Sequence, residues 1–216
     1  MKYKILVLLL LIATSYTKTA FSQSWELKMN QDGVKVYTRS YEGSNVVEFK
    51  GEVTVKSNMA GVLKIIDSVS EYPKWMHNCA YSRRIKKINE SSGYSYYVVK
   101  APWPVSDRDA CIYYKVSQDE SSKIVTIAIT GVKDYLPEES GRVRVPKVNA
   151  TWQLIPVSKG VTKVTYQAHS EIGGYVPAVI VNAYITESPY YNLLHIKNMV
   201  ESPLYPKVTM DNVKEL

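Results

Sequence analysis

The sequence predicts an α+β domain in which a curved antiparallel sheet wraps around a long C-terminal helix. Three observations support this class: a short helix follows the first two strands, several strand-like segments joined by polar turns come next, and one long amphipathic segment ends the domain. Of the 216 residues 45% are hydrophobic, which is enough for one substantial core. No linker or repeat divides residues 23–202, so we expect one domain there.

The predicted elements follow from hydrophobic periodicity and turn residues. Residues 33–40 and 45–55 read as a hairpin, and residues 59–69 have helical spacing until Tyr72-Pro73 stops the run. A meander of six strands is expected over residues 80–88, 94–101, 109–117, 123–131, 142–157 and 161–173.

The last element, residues 177–202, has apolar side chains at helical spacing. Pro189 lies inside it and should kink the helix, because proline removes one backbone hydrogen bond. Residues 203–216 are expected to form a C-terminal tail.

Residues 1–22 have the layout of a secretory signal peptide. A basic start is followed by the apolar run Ile5 to Ala13, and the small residues Ala20 and Ser22 suit cleavage before Gln23. The run is short for a membrane span, which needs about 20 residues, although an uncleaved anchor is the alternative. We therefore expect a periplasmic or secreted protein.

Cleavage would remove three lysines and lower the formal charge from +7 to +4. This excess is too small to indicate a nucleic-acid partner, and the densest basic run, SRRIKK at residues 82–87, is interpreted as a solvated strand face.

The two cysteines, Cys79 and Cys111, fall on non-adjacent strands and out of register, so both are expected to be free and buried. No metal-ligand spacing is present in the sequence, and no cofactor is expected.

The inner face of the sheet can be assigned because strand residues alternate between faces and charged residues point outward. Large aromatic and small side chains are mixed on this face, a pattern that fits either a packed core or a ligand cavity. Its predicted members are Ala110, Ile112, Tyr114, Val116, Val143, Val145, Trp152, Leu154, Val164, Tyr166, Ala168 and Ser170.

Three segments resemble the START (steroidogenic acute regulatory protein-related lipid transfer) domain family. They are APWPVSDRD (101–109), LPEESGRVRV (136–145) and YVPAVIVNAYITESPYYNLLHIK (175–197), and the first is closest to the phosphatidylcholine-transfer branch. The resemblance covers nearly all of residues 25–202. It implies a compact helix-grip fold that binds a lipid or other hydrophobic ligand in a cavity closed by the C-terminal helix.

The resemblance and the inner face together give a predicted ligand-binding set. Arg108 should face inward, because Asp109 shares the outer face with Lys115, and it needs a partner there. That partner is either a ligand headgroup or an acid such as Asp107 or Glu171. The full set is Arg108, Ile112, Tyr114, Trp152, Leu154, Tyr166, Ala168, Val179, Ile180, Ala183 and Tyr184.

A binding protein is favoured over an enzyme, because the predicted inner face holds no Asp, Glu or His and no catalytic motif occurs in the sequence. The alternatives are a cyclase-like or hydrolase-like enzyme of the helix-grip superfamily and a ligand-sensing interaction protein. We expect a monomer that contacts membranes transiently.

The predicted entry gate comprises the loop 133–140, with its apolar tip Tyr135-Leu136-Pro137, and the helix that begins near Pro177, hinged at Gly173-Gly174.

Overall fold

The computed structural model describes residues 24–216, so the predicted signal peptide lies outside the described residues. The strands are β1 (Glu26–Gln31), β2 (Val34–Tyr41), β3 (Ser44–Val55), β4 (Cys79–Asn89), β5 (Ser92–Val99), β6 (Asp107–Gln118), β7 (Val125–Gly131), β8 (Arg142–Arg144), β9 (Lys147–Ser158) and β10 (Val161–Glu171). The helices are α1 (Met59–Asp67), α2 (Tyr72–Trp75), α3 (Ala178–Tyr184) and α4 (Glu187–Val200).

All of these strands belong to one sheet. Its order is β1-β2-β3-β10-β9-β7-β6-β5-β4, and the short β8 pairs in parallel with the start of β6. The last strand, β10, lies between the N-terminal hairpin and the meander, which gives the curved antiparallel sheet that the sequence predicts. At one edge, β4 presents Arg83, Lys86 and Lys87 to solvent, whereas Ser82 is buried and Arg84 donates to Tyr114, so only part of the run SRRIKK is the expected solvated face.

Beyond shifts of one or two terminal residues, three elements differ from the sequence prediction. The edge strand β1 was not predicted, because its polar segment ELKMNQ lacks the β-branched pattern and remains mostly exposed. Residues 142–157 form two strands rather than one, since Pro146 has no N–H for a continuous ladder. The first helix ends at Asp67, and Pro73 starts the separate helix α2 instead of stopping the first one.

The core lies between the inner face of the sheet and helices α1, α2 and α4. Leu193 and Ile196 of α4 are fully buried against it. Helix α4 comes close to the sheet because β3 has Gly51 at the contact: a Cβ atom there would lie 2.6 Å from Leu193 Cδ1. Small size at this position therefore fixes where α4 packs.

The C-terminal helix is interrupted, as Pro189 predicts, and the break falls at Ile185 and Thr186. Proline has no N–H to donate to the carbonyl four residues earlier, which belongs to Ile185, and its ring crowds that carbonyl. Helix α3 before the break has no buried residue, whereas α4 after it is part of the core. No helix within residues 24–216 is long and apolar enough to cross a membrane.

Both cysteines are free and buried, as predicted. Cys79 lies on β4 and Cys111 on β6, and β5 separates the two strands. Burial raises the pKa of both thiols, so each is held in its protonated form at neutral pH.

The C-terminal tail, residues 203–216, is docked on helix α1. The Glu215 carboxylate accepts hydrogen bonds from the Met59 N–H at 3.1 Å and the Ala60 N–H at 2.8 Å. Tyr205 donates to the Gly61 carbonyl at 2.8 Å. The tail thereby supplies an acidic cap at the N-terminus of α1, where the helix dipole favours negative charge.

We predict that Glu215→Ala lowers the free energy of unfolding by about 1 kcal/mol, because two N–H groups of α1 lose their partner. Urea unfolding followed by circular dichroism measures the change. Glu120→Ala, at an exposed turn, is the matched control and should leave stability unchanged. Equal stability of the two variants would contradict a capping role for the tail.

Candidate functional site

The predicted inner face is confirmed for β6, β9 and β10. Trp152 and Tyr166 are register partners, and their rings stack with centroids 3.9 Å apart. Leu154 pairs with Val164 in the core. The small residues come together as well, since Ala168 pairs with Ala150 and lies in one cluster with Phe49. The sheet thus offers an aromatic patch next to a patch of small side chains.

A void of about 20 Å³ lies between α1 and the strands β6 and β7. Ile112 and Tyr114, both predicted ligand contacts, line it together with Leu63, Tyr72 and Ile129. The lining is mainly apolar, and α1 forms one side of it. The space is far smaller than a lipid, so a larger ligand requires the elements that cover the inner face to move.

Two polar residues at this void, Tyr114 and Asp67, are tied to one arginine, and the Tyr72 hydroxyl donates to the Ile66 carbonyl. Arg84 donates to the Tyr114 hydroxyl, and its Nη2 lies 2.8 Å from Asp67 Oδ1. Burial raises the pKa of Tyr114 and also raises that of Tyr72. Both phenols therefore stay protonated and serve as neutral hydrogen-bonding groups rather than as bases.

Arg108 is buried at the start of β6, as predicted, but its partners are backbone carbonyls. Its Nε donates to the Ile172 carbonyl at 3.4 Å, its Nη2 donates to the Gly173 carbonyl at 3.3 Å, and its Nη1 donates to the Ser106 carbonyl. Within residues 24–216 no acidic side chain forms a salt bridge with it. The expected pair with Asp107 or Glu171 is therefore wrong, and Arg108 instead joins the β5–β6 loop to the segment before α3.

Burial lowers the pKa of Arg108, and Asp107 acts in the opposite direction. An arginine remains cationic under such a shift, since its pKa starts far above neutral pH. A headgroup contact by Arg108 stays a prediction.

Helix α3 presents the opposite face from the one that the sequence predicts. Val179, Ile180 and Tyr184 are 75%, 48% and 58% exposed, and Ala183 is exposed as well. These four side chains therefore do not pack on the sheet, and their contact with a ligand stays a prediction. The partly buried side contains Ala178, Val181, Asn182 and Ile185. Apolar side chains do not identify the inner side of this helix, because both of its sides carry them.

A polar cleft of about 630 Å³ lies beside α3. Thr38 and Ser40 of β2 line it, as do Asn182, Ala183 and Thr186 at the helix. Of the four α3 residues in the predicted ligand-binding set, Ala183 is the one that lines this cleft. The cleft separates α3 from the edge strands and gives solvent access to the sheet side of the helix.

The loop 133–140 lies on the outer face of the sheet. Tyr135 stacks on Tyr94 with centroids 4.0 Å apart, and Leu136 packs beside Tyr96 and Cys111. Tyr94, Tyr96 and Cys111 belong to the opposite face from Ile112 and Tyr114, because strand residues alternate. The prediction that this loop gates the inner face is therefore wrong, and the segment around α3 is what remains of the predicted gate.

A buried ion pair holds that loop in place. Asp109 Oδ1 lies 2.9 Å from Arg144 Nε, and the two side chains are 1% and 2% exposed. Arg144 also donates to the carbonyls of Lys133, Leu136 and Pro137. Burial by itself would raise the pKa of Asp109, but the hydrogen bonds from Arg144 and Tyr96 outweigh it, so the pKa is lowered.

His169 occupies the outer face, as predicted, yet it is buried there under Tyr41, whose ring is stacked at 3.6 Å. Burial lowers the pKa of His169, so it is neutral near pH 7. This histidine does not contribute a base to the inner face.

A curved antiparallel sheet whose inner face is covered by C-terminal helices defines the helix-grip class of proteins. The family model of the START domain matches residues 17–190, and the chain belongs to this family.

Relatives with similar sequences cover most of the chain. An uncharacterized protein of Pseudomonas aeruginosa is 31% identical over 182 residues, which make up 84% of this chain and 89% of that protein. The phosphatidylcholine transfer protein of Rattus norvegicus is 22% identical over 166 residues, or 73% of this chain and 75% of its own length.

Solved structures show the same architecture. A STAR-related lipid transfer protein from Xanthomonas axonopodis superposes with a TM-score of 0.77 at 32% identity, covering 82% of this chain and 99% of that chain. The human StAR-related lipid transfer protein 5 has a TM-score of 0.75 at 19% identity, with coverage of 83% and 88%, and it shares the fold.

We predict that Asp109→Asn lowers the free energy of unfolding at pH 7 by about 3 kcal/mol, because Arg144 is left as a buried charge without its counterion. Since the pKa of Asp109 is lowered in the folded protein, its contribution is present above the unfolded pKa of about 3.9 and is lost as pH falls below it. Urea unfolding at pH 7 and pH 3 measures both effects.

Asp134→Asn is the matched control, because Asp134 is exposed in the same loop. If Asp109→Asn and Asp134→Asn unfold at the same urea concentration at pH 7, the ion pair does not hold the loop.

Proposed function

We propose that the protein binds one lipid or similarly apolar molecule between its sheet and its C-terminal helices and carries it between membranes. The observation that carries this proposal is the inner face itself, where a patch of small residues lies beneath Ile185 at the end of a helix with no buried side chain and next to the Trp152–Tyr166 stack. The lipid transfer proteins among its START relatives support the same ligand class.

The small residues Ala150 and Ala168 mark where a ligand can be accommodated. They lie next to Phe49, and Ile185 at the helix break packs against the same cluster. A ligand that displaces Ile185 and α3 would gain contact with this patch and with the adjacent Trp152–Tyr166 stack. Such contacts are apolar and favour acyl or ring carbons over polar groups.

An enzymatic role has less support. Arg108 is engaged with backbone carbonyls, and burial raises the pKa of Tyr114 and of Tyr166. Arg108 is therefore occupied by carbonyls, and the two tyrosines stay protonated, so neither tyrosine serves as a base. Binding without chemical conversion is the simpler reading of this face.

Membrane contact is proposed through an apolar rim, defined as Trp103, Tyr175, Val179, Ile180 and Tyr184. Trp103 is 93% exposed, and Tyr175 has its full surface in solvent. Arg108 joins the loop that carries Trp103 to the segment that carries Tyr175, which places them at one end of the molecule. Exposed aromatic and aliphatic side chains in one region suit the interfacial zone of a bilayer.

We also propose that residues 1–22 direct export of the chain, which would place lipid carriage in the periplasm or outside the cell. The basic start and the short apolar run support this proposal. Mass spectrometry of the protein recovered from the exported fraction should give a first residue of Gln23.

The ligand proposal predicts that the protein purified without detergent yields about one lipid-like molecule per chain on organic extraction. Ala168→Phe should weaken binding of a fluorescent fatty probe by about tenfold, because the added ring occupies apolar surface that the ligand would otherwise bury. Ala128→Phe, on the exposed side of β7, is the matched control and should bind normally.

An extract without lipid, combined with no saturable uptake of the probe by the unaltered protein, would overturn the proposed function. Equal probe binding by Ala168→Phe and Ala128→Phe would place the ligand elsewhere.

The apolar rim predicts that replacing Val179, Ile180 and Tyr184 by serine lowers the affinity for phosphatidylcholine vesicles by at least about tenfold, since burial of their apolar surface is lost. Vesicle co-sedimentation measures the effect. The matched control replaces Ile88, Val157 and Leu204 by serine, because these apolar side chains are also exposed but lie outside the rim. Equal losses in both triple variants would argue against a specific membrane face.

A further inference from the structure

We propose that Asn182 is a positioning residue whose side-chain amide latches helix α3 to strand β3 and thereby sets the rate at which the ligand enters and leaves. This inference rests on the proposed function, and it assigns the control of ligand exchange to one side chain.

The latch consists of two hydrogen bonds from one amide. The Val47 N–H donates to Asn182 Oδ1 at 3.1 Å, and Asn182 Nδ2 donates to the Asn45 carbonyl at 3.0 Å. The amide thus satisfies a donor and an acceptor of the same strand, two residues apart, as a neighbouring strand would. Within residues 24–216 these are the hydrogen bonds that join α3 to the sheet.

Strand β3 offers these backbone groups because its regular pairing ends at this point. The ladder with β10 stops at Phe49 and Ala168, and the register with β2 shifts between Arg39 and Tyr41. Val47 is half-buried and Asn45 is exposed, and the side-chain partner of both backbone groups comes from α3. Irregular strand pairing of this kind is frequent beside functional sites.

The rest of α3 holds the sheet weakly. The helix has no buried residue, and most of its apolar side chains point to solvent. Gly173 and Gly174 precede it with φ of +66° and +71°, and the break at Ile185 and Thr186 follows it. Helix α3 is therefore a short unit between two hinges, the Gly173-Gly174 pair and the break at Ile185 and Thr186. Helix α4, in contrast, is packed in the core.

The latch also borders the polar cleft. Val47 and Asn182 both line it, so water can reach the two hydrogen bonds and replace them when α3 moves. Movement of α3 would carry Ile185 away from Phe49 and uncover the small-residue patch. One pair of exchangeable hydrogen bonds is then the main polar barrier to opening.

The test compares Asn182→Leu, Asn182→Asp and the unaltered protein. Leucine has a similar size but makes neither hydrogen bond, and aspartate keeps the acceptor for Val47 but loses the donor for Asn45. We expect stopped-flow association and dissociation rates of a fluorescent lipid to rise together by about tenfold in Asn182→Leu, as expected for the loss of two neutral hydrogen bonds. The rates of Asn182→Asp should lie between those of Asn182→Leu and the unaltered protein. The dissociation constant of each variant should stay within about twofold of that of the unaltered protein, because opening is required both for entry and for exit of the lipid.

Asn198→Leu is the matched control, since Asn198 is exposed on α4. Amide hydrogen exchange over residues 178–184, measured without lipid, reports opening of α3 independently of binding. Faster exchange in Asn182→Leu than in Asn198→Leu supports the latch even if no variant binds lipid, in which case only the proposed function fails.

Normal lipid binding with unchanged rates and unchanged exchange in Asn182→Leu would overturn the latch and leave the proposed function standing. A larger dissociation constant with an unchanged association rate would also overturn the latch. That result would indicate that Asn182 contacts the ligand or that Asn182→Leu loses structure generally.

Discussion

The missing N–H of Pro189 is the constraint on which the functional half of this structure depends. It prevents one continuous C-terminal helix and leaves a break at Ile185 and Thr186. The part after the break packs against Gly51 and fills the core, while the part before it stays at the surface. One covalent feature thus separates an anchored helix from a loosely held one.

The two faces of the sheet are stabilised in different ways. On the outer face, the Asp109–Arg144 ion pair and the carbonyls around it fix the loop 133–140 in place. On the inner face, the elements that cover the small-residue patch include α3, which has few contacts. The weakly packed helix therefore lies on the side where a ligand could bind, whereas the outer side is held by a buried ion pair.

The arrangement around α3 combines the three features on which the proposed lipid carriage rests. The apolar rim faces outward, the small-residue patch lies underneath, and the polar cleft admits water at the side. Arg108 contributes to this arrangement by binding the carbonyls that precede the helix, rather than by pairing with an acid. Its charge strengthens the hydrogen bonds to the carbonyls of Ile172 and Gly173, which precede α3, but Arg108 does not bind α3 itself.

The sequence by itself determined the fold class, most strands, both buried thiols and the inner face of β6, β9 and β10. These succeed because alternation along a strand is strict, so a few charged residues fix the direction of all the others. The break near Pro189 could likewise be predicted from the sequence, because it follows from the missing N–H of one residue.

Only the tertiary structure decided which side of α3 faces the sheet, where the loop 133–140 packs and what Arg108 contacts. Both sides of α3 carry apolar residues, and the side that faces the sheet is the one whose Asn182 binds backbone groups of β3 that lie 135 and 137 residues earlier in the chain. Those groups are available only because β2 and β10 both stop pairing regularly at that point. Such a partner is created by the meeting of distant strands, and no local pattern in the sequence records it.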